Sequence, residues 1–163
     1  VELVAEVRPD QCTLVPVHPG EITSQAGWSA DTRSTALAAA IERCRNAGVR
    51  VSLFVDADDE PVRWAGTTGA QRVELYTEPF ARAFEAGPDA GRASFDRYAH
   101  AASLAASLGL AVNAGHDLDL DNLILFRGLP HLAEVSIGHA LVSHALFVGL
   151  ERSVRDYLAV LAG

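Results

Sequence analysis

Lysine and methionine are both missing from this 163-residue chain, and its thirteen basic side chains are all arginines. Without lysine there is no amine to form a Schiff base or to reach a nucleotide phosphate from a glycine-rich loop. Neither GxGxxG nor GxxxxGK[ST] occurs, which argues against a nucleotide-binding loop of either kind. Positive charge is scarce as well: the net charge is −8, which argues against a nucleic-acid partner whose phosphates would need clustered cations. Only two cysteines are present, Cys12 and Cys44, with no CxxC spacing, so reduced structural thiols in a cytoplasmic protein are expected. No apolar run approaches the 18 or so residues of a membrane-spanning helix, and no membrane partner is expected.

What is present is an ordinary globular composition, 49% hydrophobic and 21% charged, arranged as a repeating strand and helix pattern. Apolar runs near residues 11–16, 49–55, 71–76, 111–115 and 133–137 read as buried strands. Each is followed by enough chain for a crossover, so the sheet should be parallel. Asp31 or Thr32 is expected to cap a helix running to about Ala47, and Asp59 a short helix with Pro61 near its start. A long helix is expected from about Arg92 to Ser107, a short one after Asp119, and a terminal helical region from Ala140 to Leu161. The polar stretch from Val17 to about Asp31 is too long for a usual βα connection and has the length of a lid or binding loop. Residues 1–163 read as one α/β domain, the later five βα units of a TIM (β/α)8 barrel. Val1–Val7 reads as the last turns of a helix with no initiator Met or N-cap, so the fold is expected to start upstream.

The stretch Ala111-Val112-Asn113-Ala114-Gly115-His116-Asp117-Leu118 is an apolar strand that ends in polar groups. The C-terminal edge of a parallel sheet is where ligands gather in α/β folds, so Asn113 and His116 are candidates for one site. A packed, hydrogen-bonded histidine is the plainer alternative. Gly138-His139 repeats the arrangement one unit later; the pair of loops either holds phosphate on backbone N–H groups or only makes tight turns. Glu74 stands inside a strand, where a carboxylate must face a polar barrel interior or a partner. It either acts in the cavity with His116 or is neutralised by an inward arginine from elsewhere in the barrel. Asp117, Asp119 and Asp121 favour a helix start over a metal site, as do Asp56, Asp58 and Asp59, and no metal or cofactor is expected. His18, His100, His131 and His144 read as surface or packing residues.

Taken together, Val51–Asp58, Val73-Glu74-Leu75-Tyr76-Thr77, Ala105–His116 and Ser136-Ile137-Gly138-His139-Ala140-Leu141 resemble the pyridoxine 5′-phosphate synthase family, in order and over essentially the whole chain. The resemblance implies a TIM barrel assembled as a homo-octamer. It implies condensation of 1-deoxy-D-xylulose 5-phosphate with 3-amino-2-oxopropyl phosphate to pyridoxine 5′-phosphate, phosphate and water, the pyridine ring of vitamin B6. By position, His116 resembles the proton donor and Glu74 the transition-state-stabilising carboxylate. Thr23 resembles a contact to the deoxyxylulose phosphate; the backbone at Asp117, with Gly138 and His139, resembles the site of the amino-ketone phosphate. The sequence departs at Asp117 and Glu78, where many members have glycine, and in the loop Val17-His18-Pro19-Gly20-Glu21. The family's general bases belong to three βα units that would precede this chain, so the segment alone is expected to be inactive. The competing readings are another phosphosugar-processing barrel, which usually carries a strand-end lysine or a metal set, and a non-catalytic partial-barrel subunit.

Overall fold

A computed structural model of the chain describes residues 1–17, 20 and 23–163. Five strands form one sheet: β1 (Gln11–Leu14), β2 (Arg50–Val55), β3 (Arg72–Tyr76), β4 (Ala111–Gly115) and β5 (Leu132–Ser136). All neighbours run parallel and the spatial order is the sequence order. That order has no switch point, which separates it from a doubly wound sheet and makes it five successive βα units of a (β/α)8 barrel. The expected strands are recovered to within two residues at each end. A bulge between Val112 and Asn113 shifts the β4–β5 register.

Alternation along the strands divides the sheet into two faces. Val51, Leu53, Val55, Val73, Leu75, Val112 and Ala114 are fully buried on the outer face. They join a core completed by helices α2 (Thr35–Asn46), α3 (Asp59–Ala65), α4 (Glu78–Ala86) and α5 (Pro88–Ser107). Ile41, Val62, Phe80 and Tyr98 are the main helix contributions to it, and Phe80 stacks on Phe126 of α6 (Leu123–Phe126) with ring centres 4.8 Å apart. The inner face carries Thr13, Glu74, Asn113 and Ser136. A polar inner face of this kind fits the interior of a barrel.

Several helix starts differ from expectation, each for a local reason. α2 begins at Thr35, because Ser34 accepts the Leu37 N–H and acts as the N-cap; Asp31 instead accepts from the Ser29 hydroxyl at 2.5 Å. α3 has Asp58 at its N-cap position and Asp59 as its first residue. α5 starts at Pro88 and not Arg92, since Gly87 with φ 136° breaks the chain away from α4 and proline then takes the first helical turn. Asp119 does cap a turn, accepting the Asp121 and Asn122 N–H groups, but regular helix begins only at Leu123. The terminal region is two helices, α7 (His139–Val148) and α8 (Leu150–Ala162), separated at Gly149 with φ 87°. At the other end, α1 (Glu2–Val7) is helical as expected.

Part of the long segment after β1 is fastened over the sheet's C-terminal edge. Trp28 donates its backbone N–H to the Phe54 carbonyl and its indole N–H to the Leu14 carbonyl, both at 2.8 Å. Gly27 donates to Asp56 Oδ1 at 3.3 Å, and a Cβ on Gly27 would lie 2.6 Å from the Asp56 backbone nitrogen, so only glycine allows this approach. His18, which the sequence reading assigns to surface or packing, lies outside the described residues.

The two thiols lie close together. Cys12 faces the outer core beside Cys44 of α2, and burial, followed by that neighbouring thiol, pushes the Cys12 thiol up, away from the reactive thiolate.

Candidate active site

Glu74 sits in the middle of β3 on the inner face, 7% exposed. Its Oε2 accepts the Thr13 hydroxyl at 2.8 Å, and Ser136 stands beside the carboxylate across Gly115, near enough for its hydroxyl to favour the ionised form. Burial pushes this carboxyl up from the usual range, the two hydroxyls pull it down, and the nearby Glu134 adds to the rise. The net direction is upward. Among the described residues no arginine pairs with Glu74. Arg72, two residues earlier on β3, donates to Asn113 Oδ1 at 2.8 Å and lies 3.6 Å from Glu134 Oε2. Asn113 is fully buried, and its Nδ2 has no partner among the described residues.

His116 follows the end of β4, about one-fifth exposed. Its ring meets the Tyr76 ring edge-on, with centres 5.0 Å apart. The backbone here turns sharply: His116 has φ 94° and Asp117 φ 59°, two successive non-glycine residues in the left-handed region. The end of β3 holds the turn. Thr77, fully buried, donates its N–H to the Gly115 carbonyl at 3.0 Å and its hydroxyl to the His116 carbonyl. On the far side, Asn122 Nδ2 donates to the Asp117 carbonyl at 3.0 Å.

The left-handed backbone gives a physical reason why glycine suits position 117 and why aspartate, the charged residue best tolerated there, is an acceptable substitute. Its carboxylate approaches His116 Nδ1 at 3.0 Å, without the alignment of a hydrogen bond, and Nδ1 has no other partner among the described residues. Asp117→Gly should therefore be neutral to stabilising, by up to about 1 kcal/mol, because relief of the strained φ offsets the entropy glycine adds to the unfolded chain. Thermal unfolding of the two proteins checks this.

Asp117, Gly138 and His139 line one cavity of about 350 Å³, together with Glu78, Arg82 and Asp119. Gly138 is the N-cap of α7, and no side chain caps that helix end. Its first N–H groups are thus left to water or a ligand. Glu78 pairs with Arg82 at 3.3 Å on the cavity wall. Glu74, Asn113 and His116 are not part of this cavity; they belong to the inner face and upper edge of the sheet. Thr23 is exposed in the segment after β1, and among the described residues no contact places it against the other candidates.

The acidic clusters are structural. Asp119 and Asn122 close the turn described above, while Asp58 pairs with Arg97 at 2.9 Å and Asp59 with His100 at 2.8 Å. Among the described residues no three His, Cys, Asp or Glu side chains are grouped to hold a metal ion. His144 pairs with Asp156 at 3.1 Å between α7 and α8, and His131 is exposed, as surface and packing residues should be. The sequence reading did not single out Thr13, Tyr76, Thr77 or Ser136. Thr13 and Ser136 share the strand parity of Glu74, and that alternation was the available signal.

The family described as pyridoxal phosphate biosynthesis protein PdxJ has a model that matches residues 1–163. A protein of Bacteroides thetaiotaomicron named pyridoxine 5′-phosphate synthase is 48% identical over 158 residues, covering 96% of this chain and 65% of its own length. A protein of the same name from Leptospira biflexa is 49% identical, with 99% of this chain and 63% of that protein aligned. A third, from Porphyromonas gingivalis, is 45% identical over 99% of this chain and 67% of its own length. This chain thus spans a little under two thirds of the first two relatives, at 65% and 63%.

Proposed function

This chain belongs to the PdxJ family, and from that premise we propose that the protein is a pyridoxine 5′-phosphate synthase. It condenses 1-deoxy-D-xylulose 5-phosphate with 3-amino-2-oxopropyl phosphate, releasing phosphate and water, and needs no metal or cofactor. The observation that supports this reading is a buried carboxylate on the inner face of a parallel sheet, Glu74 in the middle of β3, with a histidine, His116, directly after the neighbouring β4.

His116 is the proton donor. Dehydration and loss of phosphate each require a proton delivered to a departing oxygen, and a partly exposed imidazole is suited to that task. Glu74 stabilises the positive charge that develops as the imine forms, in a setting where water does not screen it. Asn113, buried beside Arg72 with a free amide N–H, lies on the same face and is a lesser candidate for substrate contact.

The amino-ketone phosphate is held by the backbone at Asp117, Gly138 and His139, at the uncapped N-terminus of α7. A carboxylate beside a phosphate is repulsive, so Asp117 contributes its N–H while its side chain stays with the His116 ring. Thr23 contacts the deoxyxylulose phosphate from the loop after β1. The protein works in the cytoplasm as a homo-oligomer, an octamer by family likeness, and the segment 1–163 alone is inactive, because the general bases stand elsewhere in the barrel. No helix among the described residues is long and apolar enough to cross a membrane.

The test is an assay of the protein expressed from its whole gene with both phosphorylated substrates, following pyridoxine 5′-phosphate and released phosphate. Equimolar formation of the two is expected. Absence of product with both substrates present, in a folded protein, overturns the assignment.

A further inference from the structure

We infer that Thr13 and Ser136, one from each edge strand of the sheet, are positioning residues that orient the Glu74 carboxylate; the inference rests on the reading of Glu74 as the charge-stabilising group. Three strands converge on this one side chain. β1 supplies the Thr13 hydroxyl at 2.8 Å from Oε2, β5 places Ser136 beside the carboxylate, and β4 supplies an empty place between them at Gly115. A Cβ on Gly115 would lie 2.6 Å from Glu74 Oε1 and 3.0 Å from the Ser136 Cβ. Glycine at 115 therefore lets the carboxylate lie over β4 and lets Ser136 come close enough to reach it.

The choice of hydroxyls has a chemical consequence. A buried carboxylate needs hydrogen-bond donors or a cation. A cation is at hand, but Arg72 is committed to Asn113 and Glu134. An ion pair at Glu74 would cancel the negative field that a developing cation in the substrate needs, whereas hydroxyl dipoles fix the geometry and leave the net charge in place. The charged groups facing Glu74 are then Glu134 on β5, which opposes its ionisation, and Arg72 on β3, which is already paired with Glu134. The two hydroxyls are what counter burial and Glu134.

The experiment uses the protein from its whole gene and the variants Thr13→Val, Ser136→Ala and Thr13→Ser. Valine keeps the shape of threonine and loses the hydroxyl, so folding is preserved; serine restores the donor. Thr13→Val and Ser136→Ala should each lower kcat about tenfold with KM for both substrates within about twofold, as expected for one hydrogen bond to a charged group. The acid limb of kcat/KM should move to higher pH, because loss of a donor to the ionised form favours the protonated one. Thr13→Ser should recover most of both effects. Independently, the Glu74 carboxyl band, isolated by infrared difference against Glu74→Gln, should titrate at higher pH in both variants. An unmoved titration overturns the inference. A titration that moves while turnover does not leaves the positioning role standing and overturns the catalytic reading of Glu74.

Discussion

Replacing His116 by alanine should lower kcat by about two to four orders of magnitude, the range that a positioned general acid supplies. Folding should survive, with a change in unfolding free energy below about 1 kcal/mol. The reasons are local. The imidazole is partly exposed, packs only edge-on against Tyr76, and has no aligned hydrogen bond at Nδ1 among the described residues. The turn it occupies is held through its backbone, by Thr77 on one side and Asn122 on the other. Alanine inherits the unfavourable φ of 94°, so His116→Gly is the companion variant, equally devoid of the acid but free of that strain. Both should lose turnover alike, while glycine is the more stable of the two. Steady-state rates with chemical unfolding of each variant decide the matter, and near-normal turnover in either excludes His116 as the acid.

The strands were legible because burial on both faces leaves a plain mark, a short β-branched run stopped by glycine, proline or a charged residue. Helix starts were less so. At Ser34 the capping oxygen is chosen by which side chain can reach an N–H three residues on, and Asp31 loses that competition by pairing with Ser29. Within the site, Glu74 announced itself as a carboxylate in a strand, and His116 as a histidine after a strand-end glycine. What surrounds them did not. Thr13 lies 61 residues from Glu74 in sequence, and only the sheet order reveals that β1 and β5 both reach toward β3 on one face. The partners of Arg72 follow from register: Glu74 sits opposite Asn113 and Asn113 opposite Glu134, and Arg72 bonds Asn113 and pairs with Glu134. The left-handed backbone at Asp117 is likewise set by the tertiary ties of Thr77 and Asn122, and no property of aspartate alone discloses it.

Glu74→Gln should move activity and stability in opposite directions. The amide keeps the size and the hydrogen-bonding reach of the side chain, and the Thr13 and Ser136 hydroxyls can rotate to suit it. What it removes is the charge, and with it the stabilisation of a cationic transition state, so kcat should fall by about 10²–10³ with little change in KM. Stability should rise. Burial holds the carboxyl above its unfolded value, so the folded protein prefers the protonated form. That preference favours folding below the unfolded carboxyl's titration and is lost as pH rises through the folded one, leaving a buried charge at neutral pH. Glutamine has no such cost. The variant and the parent should therefore be similar in stability at acid pH, and the variant should pull ahead as pH rises through the carboxylate range. Denaturant unfolding at a series of pH values reads that divergence. A parent whose stability instead gains on the variant with rising pH would show a carboxyl held below its ordinary value, which would mean that the hydroxyls and not burial dominate at Glu74.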